Sequence, residues 1–139
     1  MERILKYLFV SVFIITASIM PANAVSDMMS LSTLITSQNV QFEQCTKVFN
    51  TDNASLFYLT IAAINANRFD IEEIQSKSGY IIFTAVNKQF VANISNVNTN
   101  QGMVKITPAD GSYYFQPGIC SNIFKYIDLN IKKKPEVIF

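Results

Sequence analysis

Residues 56–83, LFYLTIAAINANRFDIEEIQSKSGYIIF, contain the change from helical to strand periodicity that decides the fold. Apolar side chains over residues 54–66 recur every three or four positions, which is typical of an amphipathic helix. Over residues 69–74 the pattern becomes that of a strand, and a slip in its alternation suggests a β-bulge. A turn with Gly79 leads to residues 80–85, an aromatic and β-branched run typical of a strand that is buried on both faces or centrally placed.

The sequence on either side extends this pattern into one domain. Upstream, alternation from Val40 to Val48 predicts a strand, and residues 50–53 supply side chains that cap helices. Downstream, two further strands and a short extended stretch at 113–115 precede an amphipathic helix that begins near Pro117. The order β-α-β4-α predicts an α+β fold, a two-layer sandwich in which two helices pack on one face of an antiparallel sheet.

The N-terminal residues have the pattern of a secretory signal peptide. A short positively charged segment precedes an apolar run at 7–19, and Ala22-Asn23-Ala24 provides the small residues of a cleavage site. The apolar run is shorter than the about 20 residues that a membrane-spanning helix needs. We therefore expect a secreted or periplasmic chain, cleaved after Ala24 and formally neutral, with no membrane span in the mature part. The predicted organisation is a signal peptide at 1–24, a flexible lead-in at 25–39, a single α+β domain at 40–131 and a basic and apolar C-terminal tail at 132–139.

Composition argues against several classes of function. The 139 residues are 50% hydrophobic with a net charge of +1, so no basic excess favours binding to nucleic acid. The sequence has no histidine, the commonest general base and metal ligand. Its two cysteines, Cys45 and Cys120, predict one disulfide in an oxidising compartment, and the alternative is a pair of buried thiols.

Carboxylates are the remaining candidates for catalysis or metal binding. Asp70, Glu72 and Glu73 cluster, but a regular strand places Asp70 and Glu72 on the face opposite Glu73 unless the bulge intervenes. A hydrolase needs two carboxylates close together, and nothing selects two among Glu43, Glu72, Glu73 and Asp110. The sequence has no glycine-rich phosphate loop, nucleophile elbow or calcium-binding motif. We therefore expect no enzyme activity, no cofactor and no metal.

Residue patterns that suit binding occur near the last helix. Aromatic residues before this helix, with Tyr80, Phe83 and Phe90 on nearby strands, are suited either to a groove between helix and sheet or to the core. Three consecutive lysines could bind an anionic polymer or could interact with the negative C-terminal end of the helix dipole. The apolar chain end suits addition to a partner's sheet edge. The candidate binding residues are Tyr80, Tyr113, Tyr114, Phe115, Lys132, Lys133, Lys134 and Phe139.

Residues 56–83 also carry a resemblance to known domains. Their short helix, F-x-I strand and S-G turn into an aromatic strand resemble small bacterial envelope domains of the helix-grip or TBP-like kind. The order of elements over residues 40–131 is similar to that in the domains of the outer-membrane assembly lipoprotein BamC. The resemblance implies an α+β fold and an envelope compartment. The leader here lacks the cysteine of a lipoprotein, and no functional residue is carried across.

Three functions are compatible with these patterns. The first is a secreted or periplasmic non-catalytic domain that acts by binding another envelope protein. The second is a carrier of an apolar small molecule in a groove between the sheet and the C-terminal helix. The third is a carboxylate-dependent hydrolase, which requires two carboxyl groups within hydrogen-bonding reach of one water molecule.

Overall fold

The computed structural model describes residues 36–133. The signal peptide at 1–24, residues 25–35 of the lead-in, and Lys134 and Phe139 among the candidate binding residues lie outside this range. The elements are β1 (Gln38–Asn39), a 3-10 turn (Phe42–Cys45), β2 (Thr46–Phe49), α1 (Asn53–Ala66), β3 (Asp70–Gln75), β4 (Tyr80–Ala85), β5 (Lys88–Asn98), β6 (Gln101–Pro108), β7 (Tyr114–Phe115) and α2 (Gly118–Asn130).

Five strands form one antiparallel sheet in the order β2-β6-β5-β4-β3, and β1 pairs with β7 in a separate two-stranded sheet. The predicted α+β two-layer fold is therefore confirmed, with β3 to β6 as the predicted meander. The predicted β-bulge is confirmed as well, since the register of β3 with β4 shifts between Ile71 and Glu73. Within residues 36–133, none of the helices has the length and hydropathy needed to cross a membrane.

Both helices pack on one face of the sheet, where alternate residues of the central strands are fully buried. These residues include the cross-strand pair Phe83 and Phe90, whose rings stack at a centroid distance of 5.5 Å. On β6, Gly102 lets α1 approach closely, because a Cβ atom there would lie 2.6 Å from a methyl carbon of Leu56. From α2, the core receives the buried side chains of Ile119, Cys120, Ile123, Phe124 and Ile127.

The strand predicted over residues 40–48 is wrong in its first half, because residues 42–45 form a 3-10 turn and β2 starts only after it. Gln44 closes the turn: its backbone N–H donates to the carbonyl of Gln41 at 3.0 Å. Its side-chain oxygen Oε1 accepts the N–H of Gln41 at 3.1 Å. These local hydrogen bonds compete successfully with extended pairing.

Two side-chain links hold α2 against the edge of the sheet. Cys45 and Cys120 form the predicted disulfide, with their Cα atoms 5.4 Å apart and both side chains buried. At the surface, Lys47 of β2 forms a salt bridge with Asp128 of α2. A disulfide of this kind fits an extracellular or periplasmic protein.

α1 begins after a polar capping side chain and ends before a residue with left-handed backbone conformation. At the start, the carboxylate of Asp52 accepts the N–H of Ser55 at 2.9 Å, and this bond lowers the pKa of Asp52. At the end, Arg68 has a φ of 58°, and the N–H of Phe69 donates to the carbonyl of Ile64 at 3.1 Å. This is the Schellman arrangement, whose left-handed position is usually occupied by glycine.

Candidate binding surfaces

The aromatic residues that precede α2 are divided between core and surface. Phe115 is buried, and its ring meets that of Phe90 edge-on at 5.0 Å. Tyr113 is half-buried with its ring 6.4 Å from that of Phe115, whereas Tyr114 is exposed. Phe83, Phe90 and Phe115 therefore belong to the core cluster, to which the buried residues of α2 also belong.

Tyr114 lies beside a cavity of about 300 Å³ at one end of the sheet. The cavity wall includes the turn between β4 and β5, where Val86 has a φ of 49°. The amine of Lys88 donates to the carbonyl of Tyr114 at 3.3 Å and lies 3.4 Å from the carboxylate of Asp110. The backbone N–H of Ser112 lowers the pKa of Asp110, and Lys88 adds to the effect. The residues around the cavity therefore include polar groups that contact one another and a β-branched residue in a strained backbone conformation.

The face of the sheet opposite the helices, called the open face below, carries two aliphatic pairs, and the polar pair Asn93 and Lys105 lies between them. The pair on the central strands, Ile82 and Val91, is called the aliphatic strip. Ile82 of β4 pairs with Val91 of β5, and Met103 of β6 pairs with Val48 of β2. Ile82, Val91 and Met103 are half-buried, and Val48 is 46% exposed. These residues alternate along their strands with core residues, and successive side chains of a strand point to opposite faces. The strip therefore faces away from both described helices.

An acidic group borders the strip on β3. In a regular strand Glu72 and Glu73 would point to opposite faces of the sheet. The bulge in β3 instead places both of them on the open face. Thr84 and Gln89 donate hydrogen bonds to the Glu72 carboxylate and lower its pKa. The hydroxyl of Tyr80 donates to Glu73 at 2.9 Å, which raises the pKa of Tyr80. Tyr80 thus belongs to the border of the open face.

A basic group borders the strip on its other side. Lys105 of β6 pairs with Thr46 and Asn93, and its amine lies 4.7 Å from the centroid of the Phe42 ring. The Phe42 ring is partly exposed and contacts Tyr113 edge-on at 6.2 Å. Three strand spacings, about 14 Å in all, separate β3 from β6. On the open face, Ile82 and Val91 therefore lie between the glutamates of β3 and Lys105 of β6, whereas Met103 and Val48 lie on β6 and β2, beyond Asn93 and Lys105.

A groove of about 520 Å³ lies in the helical layer, between α1 and the end of α2. Tyr58 and Leu59 of α1 and Ile131, the residue after α2, provide its apolar wall. The predicted binding residues Lys132 and Lys133 are exposed and lie at the same groove. The described structure therefore brings these lysines to an apolar surface between the helices, away from the aromatic residues of the 113–115 segment.

The carboxylates considered for chemistry do not gather at one point. Glu43 belongs to the 3-10 turn and Asp110 to the cavity at the end of the sheet, while Glu72 and Glu73 lie on the open face. Over residues 36–133, no group of three His, Cys, Asp or Glu side chains is placed to hold a metal ion. Glu72 and Glu73 both accept hydrogen bonds from neutral side chains, and at Glu72 these bonds stabilise the ionised carboxylate.

Neither the aliphatic strip nor Lys105 was among the binding residues predicted from the sequence. Residues 80–85 read as a continuous apolar run, although their burial alternates between half-buried and fully buried side chains. The sequence therefore contains no signal that distinguishes the open-face residue Ile82 from its buried neighbour Ile81. Val48 and Met103 are neighbours only because β2 pairs with β6 across the intervening helix and strands, which no local pattern reveals.

No protein-family model matches this sequence, and no curated protein matches it significantly. Function is therefore inferred from the surfaces of this chain alone.

Proposed function

We propose that the mature chain is a secreted or periplasmic, non-catalytic domain that binds another envelope protein through the open face of its sheet. The observation that carries the proposal is the aliphatic strip on that face, which both described helices leave uncovered. Apolar surface bordered by polar groups is typical of protein interaction sites. The disulfide and the leader pattern support an oxidising compartment as the place where this binding occurs.

The charges at the two borders define the chemistry of the partner. Glu72 and Glu73 favour basic side chains on one side of the contact, and Lys105 favours an acidic side chain about 14 Å away. The partner accordingly presents an apolar ridge between a basic and an acidic group. Such charge complementarity sets the orientation of binding and suppresses partners with the reverse arrangement.

Paired valine variants test the surface. Val91→Glu places a charge in the strip, whereas Val97→Glu makes the same change on β5 at a residue that is 50% exposed outside the strip. The mature domain, with its disulfide intact, is used to capture proteins from envelope extract after chemical cross-linking. We expect wild type and Val97→Glu to capture the same protein and Val91→Glu to lose at least tenfold of it.

Three controls complete the test. A chain that ends at Ile131 should keep its capture, because no residue assigned to the proposed surface follows Lys105 in the sequence. All variants should melt within a few degrees of wild type, since Val91 and Val97 are not in the core. Equal capture by Val91→Glu and Val97→Glu would contradict the surface, and material purified from cells that begins at Met1 instead of Val25 would contradict export.

A further inference from the structure

The groove between α1 and α2 carries a second inference, independent of the open face. Its wall is apolar: Tyr58 is 69% exposed, and Leu59 and Ile131 are half-buried beside it. An exposed tyrosine next to two aliphatic side chains provides a flat surface on which a hydrocarbon chain can pack. The groove volume of about 520 Å³ is within the range of about 300–1,000 Å³ found for small-molecule sites.

The charge around this groove is positive. Lys132 and Lys133 lie at its rim, and none of the described residues that line it is acidic. The acidic residues nearest in sequence on the two helices have other partners. Asp52 accepts the N–H of Ser55, and Asp128 forms the salt bridge with Lys47. The groove is therefore complementary to a ligand that is apolar along its length and anionic at one end.

We propose that this groove binds a single-chain amphiphile with a carboxylate headgroup, a fatty acid by chemical class. The acyl chain packs along Tyr58, Leu59 and Ile131, and the carboxylate accepts hydrogen bonds from Lys132 and Lys133. A carboxylate has two acceptor oxygens, so it can serve two ammonium groups at once. Thr51 and Ser55 also line this groove and add polar residues to it.

Titration calorimetry with sodium dodecanoate, below its micelle concentration, tests the proposal on the mature, disulfide-bonded chain. We expect saturable binding at one site that weakens with salt, because two lysines contribute to it. Affinity should rise with chain length by up to about fourfold for each methylene that becomes buried. Dodecyltrimethylammonium, which has the same tail and the opposite charge, should not bind.

Matched variants locate the site. Lys132→Gln combined with Lys133→Gln should weaken dodecanoate binding at least tenfold and remove its dependence on salt. Tyr58→Ser should weaken it severalfold, whereas Tyr114→Ser, at an exposed tyrosine beside the other cavity, should leave it unchanged. These side chains are exposed, so unchanged melting temperatures will confirm that the variants are folded.

Several results would overturn the proposal. One is dodecanoate binding that survives both groove variants, and another is equal binding of the cationic detergent. Tighter binding of dodecyl phosphate than of dodecanoate would replace the carboxylate with a phosphate headgroup. The Val91→Glu variant should bind dodecanoate normally, so the failure of the open face and the failure of the groove can be told apart.

Discussion

The two faces of the five-stranded sheet are built from alternating residues of the same strands, and they differ in what covers them. Ile81 is fully buried beneath the helices, whereas its neighbour Ile82 is half-buried on the open face. Core side chains join the covered face to the helices, and the disulfide joins α2 to the 3-10 turn before β2. The open face is bordered by carboxylates that accept hydrogen bonds and by a lysine that lies over an aromatic ring. The residues that stabilise the fold and the residues of the proposed binding surface thus lie on opposite sides of one sheet, so each side can be altered separately.

The largest expected effect concerns the link that holds α2 over the covered face. Replacing Cys45 and Cys120 by alanine removes a cross-link between residues 75 positions apart. In the chain-entropy description, a loop of this length contributes about 4 kcal/mol to the free energy of unfolding. Urea denaturation of wild type and variant measures the difference. Reductant should destabilise wild type by a similar amount and leave the variant unchanged. A loss below about 1 kcal/mol would show that the helical layer does not depend on this link.

The next effect compares the two faces directly through adjacent isoleucines. Ile81→Ala should lower the free energy of unfolding by about 2–5 kcal/mol, because it opens a cavity in a fully packed core. Ile82→Ala should cost about 1 kcal/mol, because water already reaches this side chain. Both values come from urea unfolding under identical conditions. Equal losses would mean that another part of the chain covers the open face as thoroughly as the helices cover the core.

The order of elements was predictable because it depends on local periodicity. The helical spacing of 54–66 and the slip in the 69–74 pattern both correspond to features of the structure, α1 and the β3 bulge. The 3-10 turn at 42–45 was not predictable from alternation, because Val40 and Phe42 keep strand spacing while a side chain–backbone hydrogen bond closes the turn.

The open face was less predictable, for a different reason. On this face Val48 lies beside Met103, and Lys105 lies beside Phe42, and both are contacts between residues far apart in the chain. Strand order decides such contacts, and strand order is a long-range property of the chain. Tyr80 was singled out for its aromatic ring, yet its described contact is a hydrogen bond from its hydroxyl to Glu73.

A smaller effect, in this case a gain in stability, is expected from a substitution at the end of α1. Arg68 occupies a left-handed position with a φ of 58°, which costs a non-glycine residue about 1 kcal/mol. Arg68→Gly should therefore stabilise the domain by about 0.5–1 kcal/mol, measured as a higher urea midpoint. Because the change lies in the helical layer, capture of a partner through the open face should not change. Arg68→Ala is the control, since alanine keeps the Cβ atom and should bring no gain.

The smallest effect concerns the acidic border of the open face. The hydrogen bonds from Thr84 and Gln89 lower the pKa of Glu72 in the folded chain below its ordinary value of 4.5. A lowered pKa in the folded state gives stability that is present above the unfolded pKa and is lost as pH falls through the folded one. Glu72→Gln should therefore have a shallower loss of stability than wild type as pH falls from about 6 to about 3. Thr84→Val removes one of the two hydrogen-bond donors to Glu72. Its loss of stability with falling pH should therefore be intermediate between those of wild type and Glu72→Gln. Parallel curves of unfolding free energy against pH would show that these side chains do not hold Glu72 as an anion on the open face.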